Sequence, residues 1–129
     1  MKKFVSLLMI AMFILFSGCA AENQGERQIS GTVKIQSSAQ QLLDAQIQVK
    51  GENPTAADAI KQACQEKKLA FTFRDGLFDN FGGEASTSTD GWLLYSEGKL
   101  AEVGAADIRL SEGFQVEFRY ENYDMAFQQ

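Results

Sequence analysis

The sequence predicts an α+β fold with one helix packed on one face of a sheet, and three observations predict it. Apolar and polar residues alternate early in the chain, over residues 29–36 and 43–50, and again late, over residues 114–121. A single stretch, residues 55–68, instead repeats its apolar residues at helical spacing. One helix is too few to cover both sides of a sheet, which leaves an α+β arrangement with the helix on one side.

Each element follows from its own pattern. Ile29, Gly31, Val33 and Ile35 share one face of a first strand, with Ser30, Thr32, Lys34 and Gln36 on the other. Leu43, Ala45, Ile47 and Val49 alternate in the same way with Asp44, Gln46, Gln48 and Lys50, so the two strands form a hairpin that residues 51–53 close. Pro54 and Thr55 open the helix: Thr55 can cap its free amides, and Asp58 places negative charge at the positive helix end. Ala56, Ala59, Ile60, Ala63 and Cys64 make the stripe that packs on the hairpin, and Lys67 and Lys68 suit the last turn.

Leu69, Phe71 and Phe73 alternate as a third strand, and Asp75-Gly76 turns the chain toward Leu77, Phe78 and Phe81. Residues 82–90 read as a small-residue loop with freedom to move. Gly91 leads into the short apolar strand Trp92, Leu93, Leu94, Tyr95, which Glu97-Gly98 turns back. Gly104, Ala105, Ala106 and Asp107 read as a tight turn before Ile108 and Leu110. The last strand sets Phe114, Val116, Phe118 and Tyr120 against Gln115, Glu117, Arg119 and Glu121.

The first eighteen residues have the parts of an export signal: Lys2 and Lys3, thirteen uncharged residues from 4 to 16, then Ser17 and Gly18. Thirteen residues in helix reach only ~20 Å against the ~30 Å of a hydrocarbon core, so the segment is expected to be cleaved rather than to span. The run Leu15, Phe16, Ser17, Gly18, Cys19 resembles a bacterial lipobox. That resemblance implies cleavage before Cys19 and a lipid on its sulfur, hence an extracytoplasmic, lipid-anchored location with the membrane as partner. Two acyl chains suffice for stable anchoring.

The expected division is a signal peptide over residues 1–18, a polar tether over 19–28, one domain over 29–121 and a tail over 122–129. Loss of residues 1–18 leaves ten basic residues against seventeen acidic ones, a net charge of −7. Nucleic acid asks for a basic stripe, and anionic lipid for basic clusters, so neither is an expected partner. With Cys19 committed to lipid, Cys64 has no disulfide partner within the chain.

Four stretches together resemble a known family. They are Ile29 to Val33; the helix residues Thr55, Ala56, Ala59, Ile60, Ala63 and Cys64; Gly91 to Tyr95; and the run Val103, Gly104, Ala105, Asp107, Ile108, Leu110, Gly113, Val116, Phe118, Tyr120. In this order they are similar to a small domain of unknown function related to the C-terminal domain of transcobalamin and intrinsic factor. One departure is Phe114, where the family often has Asp. The resemblance implies a β-grasp-like (ubiquitin-like) mixed sheet. It also implies a corrinoid as the candidate ligand, because in the vitamin carriers the related domain caps a corrinoid against a separate helical barrel. The positions it singles out are Trp92, Leu94 and the loop 82–90. Tyr95 and Phe81 add aromatic surface to that candidate platform, although a core role is the weightier reading for these rings and for Trp92. A transport component is the implied recipient of the ligand.

The remaining chemistry is sparse. Cys64 on the buried stripe reads as a small inert apolar residue. Asp75, Asp79, Glu84 and Asp90 lie within sixteen residues and are weak candidates for a hard cation such as calcium, but a solvated acidic loop is the plainer reading. The chain contains no histidine, no nucleophile elbow and no phosphate cradle, so the expected function is non-catalytic. The leading expectation is binding of a small ligand for uptake. The alternatives are a protein-interaction module using exposed strand edges and the tail residues Tyr123 and Phe127, or carboxylate-based metal binding.

Overall fold

The computed structural model describes residues 27–128, so Cys19 and the export segment lie outside the described residues. Among the described residues, eight strands, two helices and one 3-10 turn succeed each other: β1 (Arg27–Gln36), β2 (Gln41–Gly51), α1 (Ala56–Glu66), β3 (Phe71–Arg74), β4 (Leu77–Phe81), β5 (Glu84–Ala85), β6 (Asp90–Ser96), β7 (Lys99–Leu100), the 3-10 turn (Ala105–Asp107), β8 (Phe114–Asn122) and α2 (Tyr123–Ala126). The strands form two sheets, of order β2-β1-β8-β6-β7 and β3-β4-β5. The fold is α+β with one main helix, as the patterning predicts, but β3 and β4 belong to a second small sheet rather than extending the first.

Both alternating strands pair as the predicted hairpin, with Ile29 opposite Val49 and Val33 opposite Ala45. The last strand then runs parallel to the first, Gly31 opposite Phe114 and Ile35 opposite Phe118. β6 joins β8 antiparallel, with Trp92 opposite Tyr120 and Leu94 opposite Phe118. One face of this sheet therefore carries the buried Val33, Ile35, Ile47, Val49, Val116 and Phe118.

Two elements cover that face. The helix lies over the hairpin, presenting Ala56, Ala59, Ile60, Ala63 and Cys64, all fully buried. Its start is a reciprocal capping box: the Thr55 hydroxyl oxygen accepts from the Asp58 amide at 3.3 Å, and the Asp58 carboxylate accepts from the Thr55 amide at 2.9 Å. Its end comes earlier than the lysine pair suggests. Lys68 adopts φ 57°, and the amides of Lys68 and Leu69 donate to the Gln65 and Cys64 carbonyls, closing a Schellman motif just beyond Glu66.

The small sheet covers the other end of the face. Phe78 and Phe81 pack on Phe118 with ring centroids 5.4 and 5.1 Å apart, and Phe81 meets Trp92 edge-on at 4.9 Å. The loop expected over residues 82–90 is instead partly ordered into this sheet. Gly82 and Gly83, at φ 60° and 89°, make a two-residue turn, so that Phe81 pairs with Glu84. Ser86 N–H then donates to the Asp79 carbonyl and Thr87 N–H to that of Asp90, at 2.9 and 2.7 Å. The glycine pair is the turn signal, and these backbone hydrogen bonds hold the residues on its C-terminal side.

Candidate functional site

β6 has two faces, and its side chains divide between them. Trp92 and Leu94 turn inward and are 7% and 8% exposed. The indole Nε1 donates to the Glu84 carbonyl at 2.7 Å, and the ring meets Tyr120 edge-on at 5.2 Å. Trp92 is thus mainly a core residue. Strand alternation sends Tyr95 to the opposite face, where Arg119 lies 4.1 Å over its ring. Arg119 Nε donates to Glu117 at 2.7 Å, and burial first, then Glu121, pushes the Tyr95 phenol above its ordinary range. Phe81 is fully buried between the sheets. The four aromatic and aliphatic candidates therefore do not converge on one surface: only Trp92 and Leu94 share a groove.

That groove, of about 240 Å³, opens between the β3–β4 turn and the β6–β7 edge. Trp92 and Leu94 form its floor, and Leu77, Val103 and Phe127 line its rim. These three rim residues are 62%, 53% and 67% exposed, and they account for three of the four exposed large hydrophobic residues among the described residues. Exposed apolar residues scattered singly are ordinary, and here three of them border one groove. The sequence marks Leu77 and Val103 only as parts of the fold, Leu77 after the Asp75-Gly76 turn and Val103 in a stretch that carries the family resemblance, and not as site residues, because a lone Leu or Val carries no functional signal. No residue of the 82–90 segment lines the groove; that segment instead accepts hydrogen bonds from Trp92 and, through the Ala85 carbonyl, from the Tyr120 hydroxyl at 2.9 Å.

Residues 53–122, more than half of the chain, match the family model described as a domain of unknown function, DUF4430. The chain belongs to that family. A search of curated proteins returned no match. Among solved structures, the fold is similar to haptocorrin in complex with Cbi, with a TM-score of 0.60 at 16% identity over 84% of this chain. The chain spans 28% of the haptocorrin chain, so the likeness concerns one part of that protein. A candidate metal-binding protein from Ruminococcus gnavus is similar with a TM-score of 0.52 at 11% identity, over 73% of this chain and 97% of that one. The family and the haptocorrin likeness agree with the resemblance carried by the four sequence stretches. The matched segment begins at residue 53, yet β1 and β2 before it complete the DUF4430 sheet, with β1 lying between β2 and β8.

The acidic candidates in the DUF4430 domain face different partners. Asp79 meets Arg74 at 3.4 Å. Glu84 accepts from the Ser38 amide at 3.0 Å and its hydroxyl at 2.7 Å, tying β5 to the β1–β2 turn. Asp90 accepts from the Thr89 hydroxyl at 2.6 Å, and Asp75 sits at φ 52° in the β3–β4 turn. Among the described residues, no three carboxylate or thiol side chains come together as a cation site would require. Cys64 is fully buried in the helix stripe, and burial pushes its thiol up to about 12. A thiol so placed is a poor nucleophile at neutral pH.

Proposed function

We propose that this protein is a non-catalytic lipoprotein, anchored outside the cytoplasmic membrane by a lipid on Cys19. In this reading its β-grasp-like domain binds a small flat ligand of the corrinoid class and passes it to a transport component. One observation carries the ligand-binding part: the apolar groove with Trp92 and Leu94 as floor and Leu77, Val103 and Phe127 as exposed rim. The fold's likeness to haptocorrin in complex with Cbi supports the choice of ligand class. The order β2-β1-β8-β6-β7, with the last strand parallel to the first, supports the β-grasp-like reading.

Size limits how the ligand is held. Sites that enclose a small molecule usually measure ~300–1,000 Å³, and this groove is smaller. A flat ligand would rest one face on the rim residues and expose the other, so tight binding calls for a second surface supplied by the transport component.

The test is a titration of the purified protein with cobinamide, cobalamin, haem and calcium, read by Trp92 fluorescence and by melting temperature. A corrinoid is expected to quench Trp92 saturably and to raise the melting temperature. Leu77→Ser and Phe127→Ser should weaken that response about tenfold while leaving the unliganded melting temperature nearly unchanged, because both side chains are mostly exposed. A flat response to all four ligands would overturn the reading, and a response to calcium alone would move it to a carboxylate site.

A further inference from the structure

The five-stranded sheet has β2 at one edge and β7 at the other. The edges are unlike. β7 is two residues long, whereas β2 runs for eleven without proline, and its only register break is where Gln36 meets Gln41. Long, flat, open edges are the ones other strands pair with, and native proteins usually shorten, kink or cover them.

The direction of the β2 backbone is set by its neighbours. The Ser30 carbonyl accepts from Gly113 N–H at 2.7 Å, and the Ser30 amide donates to the Glu112 carboxylate at 3.0 Å, so even-numbered residues of β1 face β8. Odd-numbered residues of β1 face β2, where their partners are Ala45, Ile47 and Val49. The backbone groups of Asp44, Gln46, Gln48 and Lys50 therefore point away from the sheet. Their side chains are all exposed on its polar face. Gln62 Nε2 reaches the Gln48 carbonyl from this outer side at 2.6 Å, so one amide side chain stands where an incoming strand would bond. Gln62 also lies 3.2 Å from Glu66 Oε1, which offers the amide a partner when it is displaced. A surface depression of about 630 Å³ runs along this edge between β2 and these two helix residues.

We infer that β2 pairs with β2 of a second copy of this chain, antiparallel about a two-fold axis at Ile47, joining two sheets into one. Charge selects both the partner and the register. With Ile47 opposite Ile47, Asp44 falls opposite Lys50 of the second copy and Gln46 opposite Gln48, each pair occurring twice by symmetry. Sliding the copies by two residues one way sets Lys50 against Leu42. Sliding them the other way sets Lys50 against Gln46 and Asp44 against Glu52, a like-charge pair. Both slides lose the Asp44–Lys50 pairs, so the sequence of β2 complements itself in one register.

Cross-linking in the full-length chain tests this. Residues in a hydrogen-bonded antiparallel pair have Cα atoms about 5.5 Å apart, within disulfide reach. Gln46→Cys with Gln48→Cys, treated with a mild oxidant in intact cells, should give a covalent dimer on a non-reducing gel that the unsubstituted chain lacks. Adding Lys50→Glu should reduce that dimer about tenfold by replacing attraction with repulsion twice, and adding Asp44→Lys to it should restore the band. Restoration separates charge pairing from misfolding. No dimer band, or a band that Lys50→Glu leaves unchanged, overturns the inference. A cross-link at another mass overturns the second copy in favour of a strand from a different protein.

Discussion

Trp92 links three elements at the level of single atoms: its indole Nε1 bonds the Glu84 carbonyl of β5, and its ring touches Phe81 of β4 and Tyr120 of β8. Trp92→Phe removes the donor and leaves that carbonyl unpaired, so it should cost about 1–3 kcal/mol, measurable by urea denaturation. Cys64 offers a second residue-level prediction. Because burial raises its thiol from 9.0 to about 12, the unfolded chain loses the proton at lower pH than the folded one. The stability associated with the neutral thiol is fully present below pH 9 and is lost as pH rises toward about 12. Alkylation of Cys64 at pH 8 should proceed only at the rate of unfolding; fast labelling of the folded protein would contradict the burial. The buried, inert role of Cys64 is legible from the helix stripe. The exposed role of Leu77 and Val103 is not, because exposure depends on what packs nearby and no neighbour in sequence reveals it. Phe114, the departure from the family pattern, occupies the space that a side chain at Gly31 would need, so Gly31 and Phe114 form a packing pair across parallel strands.

At the scale of elements, the hairpin, the helix and the tight turns are readable because each is encoded within a few residues. Asp75-Gly76 and Glu97-Gly98 both adopt positive φ and make two-residue turns. Gly82-Gly83 does the same and is readable in principle, but the small polar residues after it outweigh the glycine pair and make the segment look like a loop. The helix start is recognisable through Thr55, and the structure adds that Asp58 closes the box in return. Thr55→Ala should therefore cost about 0.5–2 kcal/mol, checked by the shift in chemical denaturation midpoint. Asp58→Asn keeps part of the geometry and should cost less. If Thr55→Ala were neutral, the link between Ala56 N–H and the Ile108 carbonyl at 2.9 Å would be what holds the helix start.

At the scale of the whole molecule, both sheets and the helix share one hydrophobic core that runs from Ile60 and Val33 to Phe78 and Trp92. Unfolding should then be a single transition, with Trp92 fluorescence and far-ultraviolet circular dichroism giving one midpoint. Two separated midpoints would show that the small sheet opens on its own. What the sequence determined by itself was local: which residues alternate, where the helix begins, which turns are tight, and which faces are apolar. Those properties depend on side-chain period and on turn chemistry over a few residues. The tertiary structure alone decided that β8 inserts parallel to β1 and between β1 and β6, and that β3, β4 and β5 form a separate sheet. Pairings between residues some eighty positions apart, such as Gly31 with Phe114, leave no short-range pattern. Their energy comes from burying complementary surfaces, and that complementarity exists only once the elements have come together.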